Sequence, residues 1–434
     1  MDLVISGTDA SLLESLSYDL PPSSSYVQQR RLVSFYPSGA STFSPNGVRV
    51  CNFTIAGDGW LDPASLRVVG SLRNGHATTS LQLADGPHSM ISRMRLFIGG
   101  TLCEDCDFYS RSHQLFRRML MGSEWVKNDC IESGMQVFNP ASTGTPAAGE
   151  HIAPGKSVKW NLQPLLGTLS CGKYIPLRLS GGMRLEITFA DSGDAVVAGS
   201  STTYENQELS LRCAIAKLDS ALESSFASML MQNRALTLRL NSFSTQQAIL
   251  QPGASEMSIS LTRAFSRLNA LFISFTGSDA ADTPAAHKMV TTSFLNPSAF
   301  SVGGVVNGVQ THDESLLSIE CQIGSLKFPE TAISSLPEAF SLLRQAVGVY
   351  DQSVATLNIS PQSYAALGFV AGIPLQNVPS AAFSGLNTRS GDLLSIRAKG
   401  MSTNNTINGA GRCYVCLLNE SILEIREGST TLLD

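Results

Sequence analysis

The sequence predicts an all-β protein with a few short helices, built as two similar domains in tandem. Short runs rich in β-branched and aromatic residues are punctuated by Gly, Pro, Asn or Asp ("RRLVSFYP", "SGASTFSPNG", "VRVCNFTIAG", "DGWLDP", "SLRVVGSLRN"), which is the pattern of a sandwich or barrel. Helical periodicity is confined to the stretches 110–122, 220–232 and 335–348. Two further patterns recur, in the same order, in each half of the chain.

The first recurrence sets "RMRLFIGGTLCEDCDFYSRSHQLFRRMLMG" (93–122) against "CQIGSLKFPETAISSLPEAFSLLRQAVG" (321–348). Each reads as a strand, an Ile-Gly turn (Ile98-Gly99, Ile323-Gly324), an irregular stretch, and a helix with a buried Phe (Phe116, Phe340) ending at a glycine (Gly122, Gly348). The second sets "LRCAIAKLDSALE" (211–223) against "GRCYVCLLNESILE" (411–424), aligned on Arg212-Cys213 and Arg412-Cys413. Residues 1–26 read as an arm, mildly amphipathic up to Leu20 and closed by the "PPSSS" linker. The first domain is then 27–218, a helical connector 219–233, and the second domain 234–434.

With 434 residues, 43% of them hydrophobic, the chain can bury sizeable cores. Charged residues make up 15%, well below the roughly 25% usual in soluble domains. The polar surface must therefore be largely Ser, Thr, Asn and Gln, which suits contact with other protein copies. A net charge of −5 argues against specific nucleic-acid binding. Arg30-Arg31 and Arg117-Arg118 are too few to neutralise a run of phosphates and read as solvated or interface charge. Asp2, Asp9 and Glu14 stand where a signal peptide would be basic or apolar, and the quasi-apolar stretch 364–383 is broken by Pro374, Gln376, Asn377 and Pro379, so neither secretion nor a membrane span is expected. Nine cysteines without framework spacing fit reduced thiols in an intracellular compartment. The sequons at Asn52, Asn358, Asn404 and Asn419 carry little weight without secretion.

No stretch supplies convincing chemistry. Cys103-Glu-Asp-Cys106 and Cys413-Tyr-Val-Cys416 have the spacing of a zinc ribbon, but the second pair lies in an alternating strand, where residues three apart point to opposite faces; buried thiols are the expectation. His113 reads as a helix-surface histidine. "GEHIAPGKS" (149–157) has five residues between Gly149 and Gly155 where a phosphate loop needs four, and continues like a strand. "ADSGD" (190–194) and "PAAHK" (284–288) read as turns, their order being wrong for a serine protease. His76, His88, His113, His151, His287 and His312 are far apart in sequence and form no cupin-like cluster. No catalytic, cofactor-binding or metal residue is therefore assigned, and no cofactor is expected. A carbohydrate- or receptor-binding sandwich is an alternative reading; it would need an exposed aromatic and carboxylate cluster on loops, and only Trp60, Trp125 and Trp160 are available as tryptophans.

The stretch "YPSGASTFSPNGVRVCNFTIAGDGWLDPASLRVVGSLRN" (36–74), the run 93–122 and the ending "CYVCLLNESILEIREGSTTLLD" together resemble the double jelly-roll major capsid proteins of tailless icosahedral DNA viruses, the lineage of large algal viruses, virophages and polinton-like viruses. Gly99-Gly100 stands where the family more usually has Asn-Gly, and "LDP" (61–63) reads as that family's turn between opening strands. The resemblance implies two tandem jelly rolls and a structural protein without enzymatic activity. It further implies homotrimeric pseudo-hexagonal capsomers that tile an icosahedral shell around a double-stranded DNA genome. Expected partners are other copies of the chain, penton and minor capsid proteins, and an internal membrane reached by the arm. Assembly would take place inside the host cell and the protein would reside in the virion. The stretches 132–157 and 277–312 would be tower or interface loops.

Overall fold

A computed structural model describes residues 27–83, 85–120, 131–134, 151–196, 200–249, 256–277, 318–348, 369–377, 383–389, 393–399, 410–426 and 429–433, with Leu357, Ile359 and Tyr364. The expected arm, Gly122, "PAAHK" and most of the two long loops lie outside these residues.

In the first half, β1 (Val27–Phe35), β2 (Pro37–Ser38), β3 (Thr42–Phe43), β4 (Val50–Ile55), β5 (Trp60–Asn74), β6 (Ile91–Ile98) and β7 (Thr101–Asp107) lead to helix α1 (Tyr109–Leu120). After it come β8 (Ser157–Leu162), β9 (Ile175–Pro176), β10 (Met183–Phe189), the one-turn helix α2 (Ser192–Ala195) and β11 (Tyr204–Leu218). Helix α3 (Ser220–Met231) opens the second half, followed by β12 (Leu236–Ile249), β13 (Glu256–Leu261), β14 (Leu268–Gly277), β15 (Ser318–Ile323) and β16 (Leu326–Ile333). Helix α4 (Leu336–Val347), β17 (Val370–Pro374), β18 (Leu394–Lys399), β19 (Ala410–Arg426) and β20 (Ser429–Leu433) complete it.

The sheets repeat. In the first half β1-β11-β5-β8 and β2-β4-β10-β6-β7 are hydrogen-bonded neighbours; in the second, β12-β19-β14-β17 and β13-β18-β15-β16. Numbering the principal strands of each half from one to eight gives orders 1-8-3-6 and 2-7-4-5 both times. All these pairings are antiparallel. Two sheets so ordered make a jelly roll, and the chain holds two of them. The matched strands also carry matched details. Gly99 and Gly324 both turn with positive φ, at +57° and +59°, and α1 and α4 occupy the same place after β7 and β16.

Local chemistry accounts for the elements. In β4 every second residue, Cys51, Phe53 and Ile55, points into the core. The side chain of Ser335 caps α4 by accepting the Glu338 amide, and Gly348, at φ +83°, closes it in the left-handed conformation. The periodic stretches at 110–122, 220–232 and 335–348 appear as α1, α3 and α4. No helix among the described residues is long and apolar enough to cross a membrane.

Two expected turns require correction. "LDP" is no turn: Leu61-Asp62-Pro63 lies inside β5, whose register against β11 breaks between Asp62↔Ala214 and Arg67↔Arg212. Pro63 has no N–H for the ladder, and Ser65 Oγ takes over by accepting from Ala214 N (2.7 Å) and donating to Asp62 O (2.7 Å), so the chain bulges and continues. "ADSGD" ends not in a simple turn but in α2, whose first turn is capped by the Asp191 carboxylate accepting from Asp194 N at 3.0 Å.

Candidate functional site

Each jelly roll alone would have an ordinary sandwich core; what makes one block of the two is the seam between them. Helix α1 lies in that seam, and its run from Arg111 through Arg117 is buried without a break. Its apolar side inserts Phe116 between Phe243 of β12 (ring centres 5.2 Å apart) and Phe272 of β14 (6.0 Å, edge-on). Ser112 Oγ shares a hydrogen bond with Thr245 Oγ1 at 2.6 Å, and the Arg111 guanidinium sits 5.1 Å over the ring of Tyr414. Every one of these contacts joins the first jelly roll to the second.

Backbone approach tightens the seam at two further places. A methyl on Gly167 would collide with the main chain of Asn241, so only glycine fits there. The turn carrying Gly167 is held by Glu104, a buried carboxylate that accepts from Gly167 N (2.8 Å), Thr168 N (2.5 Å) and the Thr168 hydroxyl. Burial raises the pKa of Glu104, and these donors oppose that shift. Around the β6–β7 turn, Thr101 Oγ1 donates to Thr430 O of β20 at 2.7 Å. A Cβ on Gly99 would stand 2.5 Å from Thr430 Oγ1.

The polar side of α1 faces the first jelly roll, contrary to the expectation that His113 and Arg117 are solvated. His113 is 5% exposed and stacks on His88 at 4.2 Å between ring centres. Arg117, 4% exposed, donates to Asp85 Oδ1 at 2.9 Å, while Asp85 Oδ2 lies 3.1 Å from His88 Nε2. Burial, then the neighbouring His88 and Arg117, hold the pKa of His113 well below the usual histidine range, against a weaker pull upward from Asp85. Sequence spacing concealed this cluster, because His88 and His113 are brought together only by the fold.

The other residues singled out by sequence fall as follows. Cys103 and Cys106 lie on β7, and Cys413 and Cys416 on β19; all four are buried. Burial raises the thiols of Cys103 and Cys416 to about 12 and that of Cys106 well above its ordinary value. Cys106 Sγ belongs to the seam, 3.7 Å from Phe243 O. No group of three or more His, Cys, Asp or Glu residues that could hold a metal occurs among the described residues. Gly155 turns at φ +69° directly before strand β8 rather than a helix. Trp60 and Trp160 are buried, Trp60 packing 4.7 Å from Phe226 of α3.

Against this geometry the comparisons with known proteins are informative about fold. The sequence matches no protein-family model and no curated protein. Among solved structures, the chain is similar to VP54 of the virus PBCV-1 as fitted into a reconstruction of the virophage Sputnik, with a TM-score of 0.61 and 13% identity over 96% of this chain and 99% of that one. It is likewise similar to a protein in the Sputnik virophage structure (TM-score 0.59, 12% identity, 96% of this chain and 90% of that one) and to the Faustovirus major capsid protein (0.58, 8%, 97% and 94%). At such low identity the likeness speaks for architecture, and it spans both halves and the seam: the chain has the double jelly-roll fold found in viral major capsid proteins.

Proposed function

We propose that the chain is a major capsid protein, a structural rather than catalytic component of a virion. The observation that carries this reading is the pair of jelly rolls with the same order of principal strands, joined through a continuous buried seam into one block. Three such blocks around a threefold axis would present six sandwiches, a pseudo-hexagonal tile that packs a flat facet of an icosahedral shell. Closed symmetry would also cover surface that a monomer leaves open. Leu32 and Tyr36 are 69% and 74% exposed at the outer edge of the first jelly roll, as an unfilled subunit contact requires. The scarcity of charge on the chain fits a surface made largely of such contacts. The buried positions of Trp60 and Trp160 weigh against a sugar-binding aromatic platform formed by either.

The test is the native mass of the purified full chain by light scattering after gel filtration. The expected result is three times 46.2 kDa, unchanged on dilution, with tiles or shells seen by electron microscopy on concentration. A chain that stays monomeric at every concentration and forms no particles would overturn the proposal.

A further inference from the structure

Where α3 passes from one jelly roll to the other it roofs a cleft of about 630 Å³. Trp60 and Tyr174 wall it from the first jelly roll, Leu236 and Ile425 from the second, and Leu222 and Phe226 from α3. Its lining is apolar apart from Thr237 and one cation, Lys173. Val27, the first residue of β1, stands on the wall of this cleft with half its surface exposed, so the preceding chain arrives at its mouth.

That preceding segment has matching chemistry. Leu12, Leu13, Leu16 and Leu20 recur at helical spacing, and Ser11 with Glu14 has the form of a capping box. Residues 1–26 carry Asp2, Asp9, Glu14 and Asp19 and no Lys or Arg. We infer that residues 8–20 dock in this cleft of their own chain, seating the leucines against Trp60 and Phe226 with an acidic side chain beside Lys173.

Reach and charge both favour this occupant. Residues 21–26, fully extended, span at most about 20 Å, enough to return Leu20 and Leu16 to the cleft beside Val27. So short a tether gives an effective concentration on the order of millimolar, which favours the chain's own cleft over a neighbour's. The same charges disfavour an internal membrane as the destination, since a segment with only carboxylates is repelled by anionic lipid. This inference stands apart from the capsid reading, because it concerns one chain whatever its assembly.

Hydrogen exchange on the full chain tests it. Amides of residues 8–20 should exchange about tenfold or more slowly than in a free peptide of the same sequence, and equally so on dilution. Phe226→Asp should return them to the free rate. Should that change disturb α3, the double variant Leu12→Asp/Leu16→Asp should do the same while leaving β11 and β12 protected. Free-peptide exchange in the unaltered chain overturns the inference, as does protection that survives both sets of changes. Protection lost on dilution would point to a second copy, and protection appearing only with phosphatidylserine vesicles to a membrane; either result also overturns it.

Discussion

Burial in a dry site, and after it the neighbouring His88 and the Arg117 cation, keep His113 neutral in the folded protein. Among the described residues, the groups around it are His88 by stacking, Tyr109 with its ring 5.7 Å away, and Arg117 and Asp85; of these, Asp85 carries the one negative charge, and it is already engaged by Arg117 and His88. The unfolded chain, with an ordinary histidine, takes up a proton near pH 6.5, which the folded chain refuses until well below that. Between those two values the unfolded state binds more protons, so stability is full above about pH 6.5 and is lost as the pH falls below it. Thermal melting should therefore drop from about pH 7 to about pH 5, and His113→Gln should flatten that slope; an unchanged slope in the variant would remove His113 as the cause. The counter-charge matters at any pH. Asp85→Ala leaves the Arg117 guanidinium buried without this carboxylate and should cost about 3–5 kcal/mol in urea unfolding at neutral pH.

Helix α1 is the element on which the two jelly rolls depend, since its Phe116 is held by strands of the second while its polar side is held by the first. One continuous core connects the halves, and the intact chain should unfold in a single calorimetric transition. Phe116→Ala should cost about 3–5 kcal/mol and separate that transition into two, one for each jelly roll; a lone, merely lowered transition would show that the seam is held elsewhere. The existence of α1, α3 and α4 was legible because a 3.6-residue apolar period survives in sequence, and the duplication was legible because both halves repeat a strand, a glycine turn and a helix in order. The seam was not legible. Arg111, His113, Gln114 and Arg117 spell a solvent face on any helix with one buried side, but the fold covers Arg111 with Tyr414 of the second jelly roll and His113 and Arg117 with His88 and Asp85 of the first. The turn that the family resemblance implied at Leu61-Asp62-Pro63 was not legible as a bulge, because it is the hydroxyl of Ser65 that lets the strand absorb Pro63 and continue.

The whole molecule presents two equivalent sandwiches on a chain with few charges, and this composition fixes how an assembly built from it should respond to salt. Only 15% of residues are charged, and several exposed ones are already paired within the chain, as Lys159 with Glu208 and Arg178 with Asp58. Such exposed pairs contribute little. The long edge strand β1 is exposed along most of its length and carries Arg30 and Arg31, which discourage indiscriminate strand pairing, while Leu32 and Tyr36 offer apolar contact nearby. Contacts of this kind rest on burial and neutral hydrogen bonds, which a shortened Debye length leaves intact. The proposed trimer should accordingly keep its mass when the salt is raised from about 0.1 M to about 1 M, where screening acts over only about 3 Å. Light scattering across that range decides the matter: dissociation at high salt would mean that ion pairs hold the copies together, and the lateral contacts would then have to be sought at the charged positions rather than around Leu32 and Tyr36.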